Sequence, residues 1–260
     1  MALWIDQPIW PAHGRLFAHL VSDSSYAELH ACADAAALHP WAFDGDHYDV
    51  PQERWDAAVA AGAVPVPGVE LARRLNASGL RLRKRRGDRG VARRLHVPLA
   101  FGVSHVDLVA SPRPVAEEQV FGAMVFVRDR DGRFAAVHSI RRGEWGSPGG
   151  WREPGETPLH TVVRETAEET GLVLDPGAVH VCGYERFTPL TPDNPIPVGA
   201  PYLQVFRAEL EGRAPALSSG DDGIRATRWA PPREYAALCG HLFWWPLARA
   251  VIADLADLAA

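Results

Sequence analysis

The chain has 260 residues, 47% of them hydrophobic, and its 32 acidic against 27 basic side chains leave a net charge of −5. That length suits one large or two smaller globular domains with a sizeable core, and no apolar run approaches the roughly 18 residues that cross a bilayer. The three cysteines, Cys32, Cys182 and Cys239, are odd in number, widely spaced and without a C-x-x-C pair, which argues against a disulfide framework or a cysteine zinc site and for a reducing, cytoplasmic setting.

The N-terminal stretch "MALWIDQPIWPAHGR" has polar residues within its first ten and no basic segment before an apolar run, so neither secretion nor membrane insertion is expected. "ALWID" (2–6) and "WAFD" (41–44) read as short buried strands, and "SSYAELHACADAAAL" (24–38) reads as a helix between them with Tyr26, Leu29, Ala33 and Ala36 inward. The expectation is a right-handed βαβ unit with a short parallel sheet. Asp6, His13, His19 and Asp23 follow the first strand, and Asp44, Asp46, His47 and Asp49 follow the second. Ligands of open α/β sheets bind outside the carboxyl ends of strands. A second metal or phosphate site therefore competes with a plainer reading, in which these Asp residues cap turns and the His residues bond within the core. The features "IDQPIWPAHGR", "HLVSD" and "FDGDHYDVP" resemble a small family known only as a domain of unknown function, which implies no activity.

Charge is segregated along the chain. Residues 73–94 hold ten basic residues and one acidic one, or +9, leaving 17 basic and 31 acidic residues, or −14, elsewhere. Such a block can bind nucleic acid, yet a solvated or acid-docked segment is the plainer reading and is preferred. It also marks a boundary, giving an N-terminal α/β domain at 1–80, a basic linker at 81–114 and a larger domain at 115–260.

That larger domain reads as strand-rich α/β. "QVFGAMVFVRD" (119–129) and "FAAVHSI" (134–140) flank an Asp131-Gly132 turn, a hairpin signal. Thr157 is placed to cap a helix with Pro158 at its first position. Leu159, Val162, Val163, Thr166 and Thr170 then form its core stripe, and Gly171 stops it. Further strands are expected near 179–187, 201–210 and 224–230, and a closing amphipathic helix over 244–258.

On that helix Glu165, Glu168 and Glu169 stand at i, i+3 and i+4. Each like-charge pair costs on the order of 0.2–0.5 kcal/mol, close to a helix C-terminus that already disfavours anions. Together with the preceding loop they complete G-x5-E-x7-R-E-U-x-E-E-x-G-U, running through Gly150, Glu156, Arg164, Glu165, Glu168, Glu169 and Gly171. This resembles the Nudix hydrolase signature, with Thr166 in place of the usual aliphatic residue. The resemblance implies an α/β/α sandwich with a mixed sheet. It also implies Mg²⁺, with Mn²⁺ as an alternative, held by Glu165, Glu168, Glu169 and the Gly150 carbonyl, while Glu156 and Arg164 orient the carboxylates.

The implied reaction is hydrolysis of a nucleoside diphosphate linked to another group. Glu165 is the first choice of base, with Arg164 and Glu168 beside it in the catalytic set; Glu185, Asp193, Asp221 and Asp222 stay open as alternatives. Trp145 and Trp151 flank the glycine loop as stacking candidates, although core packing is the plainer role for either, and Arg141 and Arg142 are phosphate-binding candidates. The preferred whole-protein reading is a two-domain enzyme acting on a small nucleotide such as ADP-ribose or a nucleotide sugar. An RNA 5′-end enzyme and a non-catalytic nucleotide sensor are the alternatives, and a homodimer is left open.

Overall fold

Two units divide the chain, residues 1–93 and 94–260, and the computed structural model describes residues 2–211, 214–220, 223–256 and 258. In the first unit, β1 (Leu3–Ile5) pairs antiparallel with β3 (Arg15–Ser22), which also pairs with β2 (Trp10–Ala12) and β4 (Tyr48–Pro51). The parallel pairing is between β1 and β5 (Ala63–Pro65). The helices are α1 (Tyr26–Ala35), α2 (Trp55–Ala60) and α3 (Gly68–Ser78). Ser25 caps α1 by accepting from the Glu28 amide. Leu29 and Ala33 of α1 bury against Ile5, Leu20 and Val50 of the sheet.

The strand expected at 41–44 is not formed. Residues Pro40–Ala42 make a 3₁₀ turn, started by the His39 ring accepting from the Trp41 amide, and Phe43 makes only an isolated bridge to Tyr48. Pro40 fixes φ and contributes no N–H, which suits a turn start better than a ladder. Opposite β5, the other neighbour of β1 is β3, where inward Ala18 and Leu20 alternate with Phe17 and His19, a period-2 pattern that His19 hides.

A second sheet is built from β6 (Arg89–Leu99), β7 (Gly102–Ala110), β8 (Val120–Arg128), β9 (Phe134–Ser139), β10 (Glu144–Gly146), β11 (Gly149–Trp151), β12 (Val179–Pro189), β13 (Tyr202–Glu209) and β14 (Ile224–Ala230). Its order is β10-β9-β8-β13-β12-β7-β6, with β11 on β8 and β14 on β9. β13 and β8 are parallel, and β12 pairs antiparallel with both β13 and β7. The segment 81–114, expected as a linker, thus contains β6 and β7. Arginines on β6 obscure its alternation, and β6 ends the sheet order, where charged side chains protect an exposed edge.

Helix α4 (Pro158–Thr170) covers one face of this sheet, Val162 packing with Ala123, Val125 and Val127 of β8. The alternate residue Phe126 meets Trp244, just ahead of α6 (Trp245–Val251), and Phe134 stacks on Tyr235 of α5 (Pro232–Cys239). Helices on both faces make the α/β/α sandwich. The closing helix is shorter than the expected 244–258, because Ile252 turns extended (φ −119, ψ 110) and Asp254 pairs with Arg128 at 2.6 Å. No helix among the described residues is long and apolar enough to cross a membrane.

Candidate active site

Helix α4 begins where Thr157 accepts from the His160 amide at 3.2 Å, with Pro158 at N1, and ends at Gly171 in the left-handed region (φ 73). Its buried stripe holds Val162, Thr166 and Thr170. The two threonine hydroxyls are satisfied inside the helix: Thr166 donates to the Val162 carbonyl and Thr170 to the Thr166 carbonyl, each at 2.6 Å. Core burial of Thr166 therefore leaves no stranded donor.

The carboxylates face β11. Gly149 and Gly150 pair with Met124 and Ala123 of β8, and Gly149 sits at φ 151, where a Cβ would lie 2.4 Å from the Ala123 carbonyl oxygen. A Cβ on Gly150 would lie 2.3 Å from Glu165 Oε1. Glycine here leaves open the space the Glu165 carboxylate occupies. The Gly149 amide donates to Glu169 Oε2 at 3.0 Å, so Glu169, 6% exposed, is held from inside the fold.

Arg164 organises the remainder. It donates to both Glu156 oxygens at 2.7 and 3.2 Å, to Glu165 Oε1 at 2.9 Å, to Glu168 Oε2 at 3.0 Å and to the Trp151 carbonyl at 3.1 Å. The Arg164 hydrogen bond holds Glu156 down to about 2, aided by the Glu153 amide and the Thr161 hydroxyl, and the surrounding acids raise Arg164 further above its ordinary value. Glu156, Arg164, Glu165, Glu168, Glu169 and Gly150 are thus one connected cluster.

The substrate-binding candidates separate. Trp151 and Arg141 line a cavity of about 630 Å³ with Ala100, Phe101 and Pro195, and the Phe101 and Trp151 rings meet edge to face with centroids 5.5 Å apart. Trp145 lies under the Arg228 guanidinium at 4.6 Å and against His138, while Arg142 is 3.9 Å from Glu144; neither lines that cavity. Phe101 was invisible as a site residue because it lies in the turn between β6 and β7, within the segment expected as a linker; the "LAFG" turn between two strand-like runs is its sequence signal.

Among the alternative bases, Asp221 and Asp222 lie outside the described residues, and Asp193 is exposed in the loop that carries Pro195. Glu185 points away from α4. Its neighbour Tyr184 pairs with Gln204, which pairs with Ala123 on the α4 side, so Glu185 points to the other side with Gly183, near Leu247. It is 1% exposed, its Oε1 has no hydrogen-bond partner among the described residues, and burial pushes its carboxyl up to about 8.

The N-terminal residues separate as well. Asp6, His19, Asp49, His47 and Asp46 form a chain with successive contacts of 3.0, 3.9, 3.5 and 2.6 Å. Burial works to lower the His47 pKa, but bonds to Asp46 and Asp49 outweigh it and take His47 up to about 9. His13 is instead exposed in the β2–β3 turn at φ 49. Asp23 accepts from Trp4 Nε1 at 2.8 Å, and Asp44 takes the Lys84 ammonium and the Gly90 amide.

In this domain a glycine strand of a mixed sheet lies against a helix of clustered carboxylates. The NUDIX domain family matches residues 119–255, more than half of the chain, and the chain belongs to that family. Residues 3–78 match the family described as a protein of unknown function (DUF4031). No curated protein matches the chain. Similar solved structures include a Bacillus subtilis pyrophosphohydrolase (17% identity, 48% of this chain and 71% of that one, TM-score 0.38). A C. elegans Ap4A hydrolase (17%, 53% and 99%, TM-score 0.40) and an E. coli dihydroneopterin triphosphate pyrophosphohydrolase (19%, 54% and 99%, TM-score 0.40) are others.

Proposed function

We propose that this protein hydrolyses the pyrophosphate of a small nucleoside diphosphate joined to a second group, of the ADP-ribose or nucleotide-sugar type, using Mg²⁺ or Mn²⁺. The observation that carries this is the continuity of β11: Gly150 abuts Glu165, and the next residue, Trp151, walls the cavity shared with Phe101 and Arg141. The Trp151 and Phe101 rings suit a nucleobase, and the Arg141 guanidinium suits a phosphate.

A hard divalent cation fits the carboxylate cluster. Glu165, Glu168 and Glu169 supply oxygen donors, and the cradle at Gly150 is one that a Cβ would fill. Bound there, such an ion neutralises phosphate oxygens and lowers the pKa of a bound water. Glu165 is assigned to take the proton of the attacking water, while Arg164, fixed by Glu156, holds Glu165 and Glu168 in place. Glu169 is anchored beside them by the Gly149 amide.

The RNA 5′-end reading rests on the basic block, whose charges are largely engaged within the protein. Arg73 and Arg74 pair with Glu70, Arg81 with Asp46, Lys84 with Asp44 and Arg85 with Asp88, and Arg89 lies over Trp41. A sensor without catalysis has no use for the full carboxylate set. The three cysteines are buried free thiols, in keeping with a reducing cytoplasm.

The test is to incubate the purified protein and Mg²⁺ with nucleotide sugars, ADP-ribose, dinucleotides, nucleoside triphosphates and 5′-triphosphate or capped RNA, identifying products by mass. Release of a nucleoside monophosphate and a phosphorylated second group from a diphosphate compound is the expected result. Turnover confined to RNA would replace this reading with the 5′-end one.

A further inference from the structure

The five-residue chain in the N-terminal unit is unlike a set of caps. Asp6 and Asp46 are buried, at 3% and 2% exposure, and both are well supplied with donors. Asp6 accepts from the His19 amide at 2.6 Å and from Trp10 Nε1 at 2.9 Å, and Asp46 accepts from the Leu82 amide at 2.7 Å. Each also faces one imidazole Nδ1: His19 at 3.0 Å and His47 at 2.6 Å. Carboxylates only accept, so both rings carry their proton on Nδ1 and turn Nε2 the other way. Both Nε2 atoms converge on Asp49 Oδ1, at 3.9 and 3.5 Å.

We propose that His19, His47 and Asp49 form a second metal site, for a borderline divalent ion of the Zn²⁺ type, with Asp6 and Asp46 as positioning residues. Nitrogen from two neutral imidazoles plus one carboxylate oxygen favours such ions over Mg²⁺ or Ca²⁺. A tetrahedral ion with bonds of about 2.0–2.1 Å sets its donor atoms roughly 3.4 Å apart. The two measured edges are close to this, and one donor atom from each residue lies within 4.8 Å of the others. A carboxylate holding the far nitrogen of each ligating histidine is the usual support of such centres. The Asp49 side chain is 46% exposed, so a fourth position opens to water. Binding displaces any proton shared between His47 and Asp49. The site is built from β3, β4 and the loops leading to them, away from the Nudix carboxylates in sequence and in kind of donor.

The full chain, stripped of metal by a chelator, is titrated with Co²⁺ and Zn²⁺ in millimolar Mg²⁺. This is done for the wild type and for a Glu168→Gln, Glu169→Gln form that disables the Nudix carboxylates. The expected result is one Co²⁺ per chain with a visible absorption band that Zn²⁺ abolishes, retained in the double variant, lost in His47→Ala, and weakened about 10–100-fold in affinity by Asp46→Asn. A band absent from the wild type, or lost with the glutamates and kept in His47→Ala, overturns the proposal. A measurement on the wild type alone guards against misfolded variants. Zn²⁺ should protect His19 and His47, but not the exposed His13, from diethylpyrocarbonate as mapped by mass spectrometry, and equal modification with and without Zn²⁺ overturns the site.

Discussion

Glu169 and Glu168 sit one residue apart yet meet opposite surroundings: the first is buried on the Gly149 amide, while the second has a side chain 51% exposed against Arg164. Both Glu168→Gln and Glu169→Gln are expected to lower turnover on the order of a hundredfold if they hold the ion. Their stabilities should differ in metal-free buffer. Glu168→Gln relieves a like-charge neighbour and loses an exposed ion pair, for a net change within about 0.5 kcal/mol. Glu169→Gln keeps an acceptor for Gly149 but makes that bond neutral, costing about 1 kcal/mol. Wild-type turnover of either variant at limiting Mg²⁺, measured by product release, would remove it from the ligand set. Glu185 supplies a pH test. Its folded pKa of about 8 lies above the unfolded value, so its contribution to stability is complete below about 4.3 and is lost as pH rises toward 8. Glu185→Gln, which mimics the neutral acid, should remove that loss and raise the thermal midpoint at pH 8–9 relative to wild type while leaving it nearly unchanged at pH 4; equal midpoints at both pH values would show that Glu185 is ionised.

At the scale of elements, α4 was legible nearly residue by residue because every local signal agrees: a Thr cap, Pro at N1, a 3.6-period stripe and a C-terminal Gly. The glycine and charged positions of the box were equally legible, since a crowded carboxylate face is costly without a cation. Strands β3, β6 and β7 were not. In β3 a histidine interrupts the apolar alternation, and in β6 the arginines of an edge strand imitate a solvated linker, so tertiary pairing decides what local pattern leaves open. Phe101 disappeared with them, and so did half of the aromatic wall. In the N-terminal cluster the residue types could be read from the sequence, but only the pairing of β3 with β1 and β4 brings His19 to Asp6 and Asp49 and leaves His13 apart. The junction of β11 and α4 yields a sharp prediction. Gly150→Ala adds a methyl where Glu165 Oε1 and Oε2 would be 2.3 and 2.7 Å away, so the carboxylate must move. Turnover should fall on the order of a hundredfold with little change in circular dichroism, because geometry errors near 1 Å are that costly in positioned chemistry. Near-wild-type kcat would mean that Glu165 acts from another rotamer.

Across the whole molecule, the net charge of −5 hides a basic block whose members play two parts. Lys84 and Arg85 are half-buried and pair with Asp44 and with Asp88, whose side chain is fully buried, whereas Arg83 and Arg86 are exposed. If the block serves the fold of the N-terminal unit, its inner members matter for stability and its outer ones for little in small-molecule turnover. Lys84→Ser and Arg85→Ser should each cost about 1–3 kcal/mol, the price of leaving a desolvated carboxylate short of a charged donor. Arg83→Ser with Arg86→Ser should leave kcat/KM for a small nucleotide within about twofold of wild type, as surface substitutions away from a site do. If the block instead grips RNA, the outer pair carries phosphate contacts, and removing two of them lowers the slope of log affinity against log salt by roughly 1.4 for a single strand. Measuring kcat/KM on a nucleotide sugar and RNA affinity at several salt concentrations, in the outer-pair variant and the wild type, separates the two. An unchanged salt slope with unchanged small-molecule turnover leaves the basic block as part of the N-terminal unit's own structure, and a lowered slope with RNA turnover falling in step would transfer the substrate assignment to RNA ends.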